Sequence, residues 1–462
     1  MKLRLVTLAA LATLASTAFA APNTTPVTAA EAAAAANTLY LSGSSAAKAI
    51  IAGLVQQNCT SGSFVTFADA SGQYNAYACR VAATNDWGLA ENTVVVVNKR
   101  DDQGSGFGVF PVAYNTPIAF LNLAGTPTAG KYPLSNHTAD AGISDVEPTL
   151  FNVGANRPAA FASAAAVSAT SFAPLTITLP DASKSTNTVT PVFSQVFGVA
   201  VTQKLYNALQ AAQGTTGTPS LSRDYLTNLF SQSVGSIGWN TLGVANADAG
   251  VNVCFRDQGS GTRVAGNIFL GQFPGNTTAG FAPLDGTAAT ATAPSDVSGD
   301  VYINEAGSGG GVTSCLTTVN GNAIGYGIGL LGTGTAESVG NWRYVSVDGV
   351  AATRDNAKNG KYSFWVESTV QVNKLSTASA AAKAFLAKFV AKAQQSTNLG
   401  QLSTAAQNGV FALPLSQSDV AADDCSQYAG TYPSTGYANA ADKFCGRFSR
   451  NGDNRTVPAF TK

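Results

Sequence analysis

The chain has 462 residues, of which 45% are hydrophobic and only 11% are charged, well below the usual quarter of charged residues in globular proteins. Lysine plus arginine and aspartate plus glutamate both total 26, so the formal net charge is zero. This balance argues against nucleic acid or an anionic membrane surface as a partner, because both select a net positive protein. The length predicts two or three domain-sized units with buried cores.

Residues 1–20 have the pattern of a cleavable export signal. They combine a basic start at Lys2 and Arg4, an apolar run over residues 5–15, and a small-x-small cleavage site at Ala18-Phe19-Ala20. No cysteine follows the expected cut, so we predict no lipid anchor. No later segment reaches the ~20 continuous apolar residues of a membrane span. We therefore expect an exported protein, periplasmic or secreted, without a membrane anchor.

The six cysteines suit an oxidising compartment. They fall into three pairs of sequence neighbours, Cys59 with Cys79, Cys254 with Cys315, and Cys425 with Cys445. Six cysteines allow 15 connectivities, and we favour neighbour pairing because it closes local loops. Metal binding is the alternative, but the sequence lacks C-x-x-C spacing and contains a single histidine. We therefore expect three disulfides, no metal and no other cofactor.

After a spacer over residues 21–37, strand-like and helix-like segments alternate. Apolar runs predict strands at Thr38–Leu41, Val94–Val97, Val196–Val201 and Val251–Phe255. Amphipathic spacing predicts helices at Ser45–Gln57, Leu221–Phe230 and Ser379–Gln395. We expect the strand at Val94–Val97 to end in a polar loop over residues 98–106. The repeated order of strand, glycine-serine loop and helix predicts an α/β fold.

The segment Arg256–Arg263, with the sequence RDQGSGTR, is the strongest indication of function. It joins a predicted strand to a helix beginning near Val264. A helix amino end offers unpaired N–H groups and a partial positive charge, and glycines let an anion approach the backbone. Ser260 and Thr262 add hydroxyl donors, and Arg256 can clamp two oxygens of a tetrahedral oxyanion. A capped helix start without a ligand is the alternative that this segment alone leaves open.

Three other segments carry compatible groups. Gly104-Ser105-Gly106 and Gly43-Ser44-Ser45 are further glycine-serine loops after predicted strands, and Asp145 follows a short apolar run. Together with Arg256, they provide several donors and one acid, as a dehydrated and partly protonated oxyanion requires. On spacing alone, Asp145 fits equally well as a cap for the turn before Pro148.

These motifs resemble those of the phosphate-binding proteins of phosphate ABC transporters, which have the type II periplasmic binding-protein fold. The family's R-x-x-G-S-G-T signature stands here at Arg256–Thr262. Ile237-Gly238-Trp239-Asn240, Ala323-Ile324-Gly325-Tyr326 and Val347-Asp348-Gly349-Val350 resemble further family segments in the same order. The resemblance extends over most of the chain, roughly Leu39 to Phe389.

The resemblance implies a two-lobed α/β protein with its ligand in the cleft between the lobes. Lobe 1 would comprise residues 38–190 and 327–462, and lobe 2 residues 191–326. Arg256 would clamp phosphate and Asp145 would accept the proton of monohydrogen phosphate. The remaining ligand contacts would come from Ser45, the backbone of Ala46, Ser105, Ser260, Gly261 and Thr262. An inner-membrane ABC permease would be the partner, and the protein would be a monomer without enzymatic activity.

Two other functions are compatible with the residues. The missing lipid site and the low charge favour a secreted or surface-associated phosphate-binding or matrix protein that works without a permease. A phosphoester hydrolase is the enzymatic alternative. It lacks support because the sequence shows no nucleophile–base pair and no cluster of metal ligands.

Overall fold

The computed structural model describes residues 21–177, 188–274 and 281–412, and the short stretches 448–449, 454–455 and 459–460. The predicted signal over residues 1–20 and the pair Cys425 and Cys445 lie outside the described residues. The described chain is a mixed α/β protein with helices around a large central sheet, which confirms the predicted fold class. Within the described ranges, no helix is long and apolar enough to cross a membrane.

The strands of the described residues are β1 (Asn37–Gly43), β2 (Val65–Ala68), β3 (Tyr74–Arg80), β4 (Val94–Arg100), β5 (Ile118–Leu121), β6 (Leu134–His137), β7 (Ala141–Ser144), β8 (Val189–Thr202), β9 (Ser220–Leu221), β10 (Val251–Arg256), β11 (Val301–Ala306), β12 (Gly327–Gly332), β13 (Trp342–Val347), β14 (Trp365–Val372), β15 (Val410–Phe411), β16 (Phe448–Ser449) and β17 (Ala459–Phe460). The α-helices are α1 (Ala29–Ala33), α2 (Lys48–Gln56), α3 (Gly106–Tyr114), α4 (Gln203–Gln213), α5 (Arg223–Leu229), α6 (Gly261–Gly271), α7 (Gly309–Asn320), α8 (Arg354–Lys358), α9 (Ala380–Ala393), α10 (Ser396–Leu399) and α11 (Thr404–Asn408).

The main sheet has the strand order β11-β10-β12-β8-β14-β7-β1-β4-β3-β2, with β13 and β15 also paired to β8. Strand β1 is parallel to β4 and β7, and β10 is parallel to β11 and β12. The long strand β8 joins these two parallel regions. Its first part pairs with β14, up to Val196, and its second part pairs with β12, from Phe197 onward. We call strands β1, β4 and β7 the β1 region, and strands β10, β11 and β12 the β10 region.

Strand β4 is longer than the sequence predicts. Its valine run is buried as expected, but the strand continues through Asn98 and Lys99 to Arg100, where we expected a polar loop. The prediction was wrong because β1 and β3 pair with these residues on both sides, Lys99 lying opposite Leu41 and Asn75. Polar side chains can occupy such a buried strand only when each polar group has a partner.

Serine caps begin two of the predicted helices, whereas α2 begins three residues after the predicted start at Ser45 and has no side-chain cap. Ser379 caps α9 by accepting a hydrogen bond from the Ala382 N–H, as predicted. Helix α6 begins at Gly261, three residues before the expected start, because Ser260 caps it. Helix α2 begins at Lys48, after a turn in which the Ser44 hydroxyl accepts from the Ala47 N–H.

Two of the three expected disulfides lie within the described residues and are present. Cys59 is bonded to Cys79, and Cys254 is bonded to Cys315. The second bridge ties β10, the strand that ends in Arg256, to helix α7. It therefore holds α7 against the strand that leads into the candidate anion site.

Candidate functional site

Asp145 follows β7 and is almost completely buried, with 1% of its surface exposed. The Ser44 hydroxyl donates a hydrogen bond to Oδ1 of Asp145. The Asp145 backbone N–H donates to Oγ of Ser105 over 3.0 Å. Burial raises the pKa of Asp145, while the Ser44 hydrogen bond and the charge of Arg256 oppose that shift. The carboxyl group is thus held inside the protein with donors around it.

Asp145 is not the cap that the spacing alone allowed. The short helical turn Pro148–Asn152 has Glu147 in the capping position, and that side chain makes no capping hydrogen bond. The burial of Asp145 and its contacts with Ser44 and Ser105 belong instead to the cluster around Arg256.

Arg256 ends β10 and is also buried. Its Nε and Nη2 donate to the carbonyl oxygens of Ala306 and Gly307, each over 3.0 Å. Nη1 donates to Oγ of Ser45, also over 3.0 Å. These bonds account for three of the five guanidinium N–H groups, and all three go to neutral acceptors. The guanidinium is therefore fixed in direction, and two of its N–H groups make no hydrogen bond within the described residues.

The start of α6 lies against Asp145. Oγ of Ser260 accepts from the Arg263 N–H over 3.3 Å. The N–H groups of Gly261 and Thr262 occupy the first two helical positions, where an α-helix provides no acceptor of its own. A Cβ at Gly261 would come within 2.3 Å of Ser105 Oγ and 2.6 Å of the Asp145 carboxylate. Only glycine fits there, so the sequence lets the helix start approach both side chains.

The loop before α3 packs against Arg256 and against the loop before α6. Gly104 has a φ of +60°, and a Cβ on it would lie 2.8 Å from Nη2 of Arg256. The Gly106 N–H donates to the Gly259 carbonyl over 2.7 Å. The two glycine-serine loops that the sequence singled out, one after β4 and one after β10, therefore touch through their backbones, and Ser105 is buried between them.

A cavity of about 670 Å³ opens beside this cluster. Of the residues that the sequence predicted for the site, Ser45, Ala46, Arg256 and Thr262 line it. The other four, Ser105, Asp145, Ser260 and Gly261, are buried together next to it, outside its lining. All eight predicted residues thus belong to one neighbourhood, with Arg256 connecting the cavity to the buried cluster.

Helix α7 supplies a second helix start to the cavity. Ser308 caps the helix, and Ser308 and the three glycines Gly309–Gly311 line the cavity wall. The Gly309 N–H donates to Oγ of Ser45 over 3.3 Å, so the same hydroxyl receives hydrogen bonds from Arg256 and from α7. The starts of α6 and α7 both add positive potential where an oxyanion would lie.

Sequence reasoning missed a buried ion pair beneath this site. Nζ of Lys99 lies 2.7 Å from Oδ1 of Asp101, and both side chains are almost completely buried. Nζ also donates to the carbonyl oxygens of Gly43, Ser44 and Arg100 over 2.8, 3.2 and 2.8 Å. Burial lowers the pKa of Lys99, and the attraction of Asp101 opposes that shift. Lys99 thus anchors the loop whose Ser44 reaches Asp145.

Asp257 follows Arg256 and lies at the edge of the same cluster. Its Oδ1 is 4.0 Å from Nη2 of Arg256. Burial raises the pKa of Asp257 to about 6, although Arg256 counteracts the shift. Among the described residues, this Oδ1 atom is buried without a hydrogen-bond partner. Asp257 therefore adds a charge near Arg256 that is sensitive to pH.

The chemistry available here is electrostatic capture of an anion. The described residues contain no group of three or more His, Cys, Asp or Glu side chains that could hold a metal ion. What meets is a guanidinium, two helix starts, several hydroxyls and the buried carboxyl group of Asp145, with Asp101 and Asp257 nearby. This set can bind a tetrahedral oxyanion through many donors and accept one proton from it.

Comparison with known proteins gives structural matches only. No protein-family model matches the chain, and no curated protein matches it either. A candidate phosphate ABC transporter substrate-binding protein with bound phosphate from Clostridium perfringens is similar at 14% identity, over 81% of this chain and 99% of that chain, with a TM-score of 0.44. An ABC-type phosphate transport receptor from Vibrio cholerae matches at 12% identity, over 76% and 98% of the two chains, with a TM-score of 0.35. PstS from Borrelia burgdorferi matches at 12% identity, over 82% and 100%, with a TM-score of 0.36.

Proposed function

We propose that the protein captures inorganic phosphate at the cluster of Arg256 and Asp145 and does so for uptake by an ABC transporter. The observation that supports this most strongly is the meeting of separate chain segments around one buried guanidinium and one buried carboxyl group. Arg256 and the starts of α6 and α7 provide positive potential, and Asp145 provides a buried acceptor. A site that bound anions only through their negative charge would gain nothing from a buried carboxyl group, which repels anions.

The carboxyl group favours phosphate over sulfate. Phosphate keeps a proton near neutral pH and can donate it to Asp145, whereas sulfate has none to donate. Sulfate would place an unpaired like charge beside the buried carboxylate, which is costly away from water. The site would therefore select its ligand chiefly by rejecting the fully ionised anion.

In this proposal each predicted residue has a role. Arg256 would donate to phosphate through its remaining N–H groups, and the backbone N–H groups of Gly261 and Thr262 would donate from the start of α6. The hydroxyls of Ser105, Ser260 and Thr262 would add donors, with Ser45 and the Ala46 backbone contributing from the cavity side. Ser44, which already reaches Asp145, would orient the carboxyl group.

The proposal also retains the predicted organisation and location. Residues 38–190 and 327–462 would form one lobe and residues 191–326 the other, with phosphate in the cleft between them. The protein would act as an exported monomer, in the periplasm or outside the cell, after loss of residues 1–20. It would perform no covalent chemistry on its ligand.

Calorimetric titration of the purified full chain with phosphate tests the proposal, with Arg256→Ala as the diagnostic variant. Removing the guanidinium should weaken phosphate binding by about 2–5 kcal/mol, because it takes away a buried charge partner. This corresponds to roughly thirtyfold to several-thousandfold in Kd. Arg256→Lys should restore little, since an ammonium group cannot bind Ala306, Gly307 and Ser45 in one plane.

Arg80→Ala is the matched control. Arg80 is also buried, and it pairs with Glu31 at 2.6 Å, outside the residues of the site. Its loss should affect stability and leave phosphate affinity within twofold. A change of less than threefold for Arg256→Ala, or no phosphate binding by the unaltered protein, would contradict the proposal.

A further inference from the structure

Arg263 is the second arginine of the segment RDQGSGTR, and it is not among the residues that would contact phosphate. It lies in the first turn of α6, and only 1% of its side chain is exposed. It does not line the cavity beside Arg256, so its side chain cannot reach a ligand there. Burying a charged group is costly unless the group is paired and hydrogen-bonded. The contacts of this guanidinium therefore indicate what it does.

The Arg263 guanidinium joins the ends of two neighbouring strands. Its Nη1 donates to the carbonyl oxygen of Arg256 over 3.1 Å and to Oε1 of Glu305 over 2.8 Å. Arg256 is the last residue of β10, and Glu305 lies on β11 directly before Ala306, the residue opposite Arg256. Nη2 donates to the carbonyl oxygen of Leu284 over 2.6 Å. One side chain of α6 thus holds both strands where the candidate site begins.

These contacts lie beside the groups that anchor the side chain of Arg256. Arg256 donates to the carbonyl oxygens of Ala306 and Gly307, which directly follow Glu305 in the chain. The distance between the end of β10 and these two carbonyls therefore decides where the Arg256 guanidinium points. The pairing of β10 with β11 ends at Arg256 and Ala306, so Arg263 adds a tie at the point where the strand pairing stops.

The same side chain links the start of α6 to these strands. Gly261 and Thr262, whose N–H groups would donate to phosphate, directly precede Arg263 in the helix. The Arg263 guanidinium also lies over the ring of Phe255 on β10, 4.9 Å from the ring centre. Because its side chain is held on β10 and β11, Arg263 determines how far the helix start lies from the guanidinium of Arg256.

We propose that Arg263 is a positioning residue for phosphate binding. It holds the Arg256 guanidinium and the N–H groups of Gly261 and Thr262 at the spacing that lets one tetrahedral oxyanion contact them all. This rests on the proposed function, because phosphate would lie between those groups. A lysine in this position would keep the charge, but its single ammonium group could not replace the two nitrogens that make these contacts.

Calorimetric titration of the full chain with inorganic phosphate tests the proposal by comparing Arg263→Lys with Arg80→Lys. Arg80 is the matched control because it is also buried and pairs with a partly exposed glutamate, Glu31, at 2.6 Å, away from the site. Both variants should unfold at a lower temperature than the unaltered protein. Arg263→Lys should weaken phosphate binding by fivefold or more, whereas Arg80→Lys should stay within twofold. A merely structural role would lower the stability of both variants and leave both affinities unchanged.

Glu305 provides a second test, which also serves if Arg263→Lys does not fold, because the Glu305 side chain is 33% exposed. Removing a negative charge near an anion site should strengthen anion binding if charge alone matters. The proposal predicts the opposite for Glu305→Ala, a loss of threefold or more, because Arg263 loses its contact on β11. Glu305→Gln keeps an oxygen acceptor for Nη1 of Arg263 and should bind phosphate more tightly than Glu305→Ala.

The outcomes separate this inference from the proposed function. Equal phosphate affinities of Arg263→Lys and Arg80→Lys would overturn the inference and leave the proposed function intact. Unchanged or tighter phosphate binding by Glu305→Ala, relative to the unaltered protein, would overturn it as well. If the unaltered protein binds no phosphate, the proposed function has failed, and the inference fails with it.

Discussion

The β1 region and the β10 region each end in a buried charge, but the two are satisfied in different ways. At the end of β4, Lys99 contacts Asp101 directly and also binds three carbonyl groups. At the end of β10, Arg256 donates hydrogen bonds only to neutral groups, the Asp257 carboxylate lies 4.0 Å away, and within the described residues no ion pair joins Arg256 to Asp145. A charge that is already paired can only hold structure together. A ligand can bind between a buried cation and a buried acid that do not contact each other, and it can interact with both.

This difference divides the cluster into a support and a binding surface. Lys99 holds the carbonyl groups of Gly43 and Ser44, and Ser44 in turn donates to Asp145. The β1 region thus positions the Asp145 carboxyl group, while the β10 region contributes the Arg256 guanidinium and the start of α6. The ligand would join Asp145 of the first region to Arg256 of the second.

Lys99→Met should have the largest effect on stability. It would leave Asp101 buried with the Asn75 amide as a donor and with Lys48 as the remaining ion-pair partner, whose Nζ is 3.7 Å away and partly exposed. Removing one partner of a buried pair costs about 3–5 kcal/mol. Urea unfolding should therefore show a loss of that size in the free energy of unfolding.

The double variant Lys99→Met with Asp101→Leu sharpens the comparison. Replacing both buried charges by apolar groups should recover much of the loss, since apolar replacements of buried pairs are often neutral or better. Saturating phosphate should stabilise the single variant no more than it stabilises the unaltered protein. A loss below 1 kcal/mol for Lys99→Met would mean that the pair does not support the loop.

Asp257→Asn should have a smaller effect that depends on pH. The folded-state pKa is raised to about 6 from an ordinary value of 3.8, so the folded protein binds the proton more tightly than the unfolded chain. The carboxyl group therefore destabilises the fold progressively as pH rises from about 4 to about 6. Because two pKa units correspond to about 3 kcal/mol, the destabilisation at neutral pH should not exceed that.

Thermal unfolding of the two proteins between pH 4 and pH 7 measures this effect. The difference in Tm in favour of Asp257→Asn should grow from about pH 4 to about pH 6 and then stay constant. Parallel Tm profiles for Asp257→Asn and the unaltered protein would mean that Asp257 ionises normally in the fold.

Some parts of the site could be predicted because their signals are local. The segment RDQGSGTR contains a strand end, a cap and a helix start in consecutive residues, so its geometry follows from short-range rules. Ser105 and Asp145 follow other strands, and strand order in the sheet decides whether such residues meet. The expectation that Ser105 and Asp145 lie near Arg256 came from the resemblance to a known family, because their spacing in the sequence does not show it.

The burial of Lys99 and the contact of Ser44 with Asp145 could not be predicted from the sequence. A lysine two positions after a run of four valines normally lies beyond the strand, and its burial here depends on carbonyl groups more than fifty residues earlier in the chain. The choice between Ser44 and Ser45 depends on the exact turn before α2. The structure places Ser44 on Asp145 and Ser45 on Arg256, a division that neighbouring serines do not reveal in sequence.

Titrations of the unaltered protein and of Asp145→Asn with phosphate and with sulfate show whether the Asp145 carboxyl group selects the ligand. The variant keeps the size of the side chain and an oxygen for Ser44 but loses the charge. Asp140→Asn is the control, because Asp140 is also buried but contacts Tyr40 and Ser376 instead. We expect Asp145→Asn to lower phosphate affinity at least tenfold and to make sulfate binding measurable, while Asp140→Asn should change neither. An unchanged preference for phosphate over sulfate in Asp145→Asn would contradict this expectation.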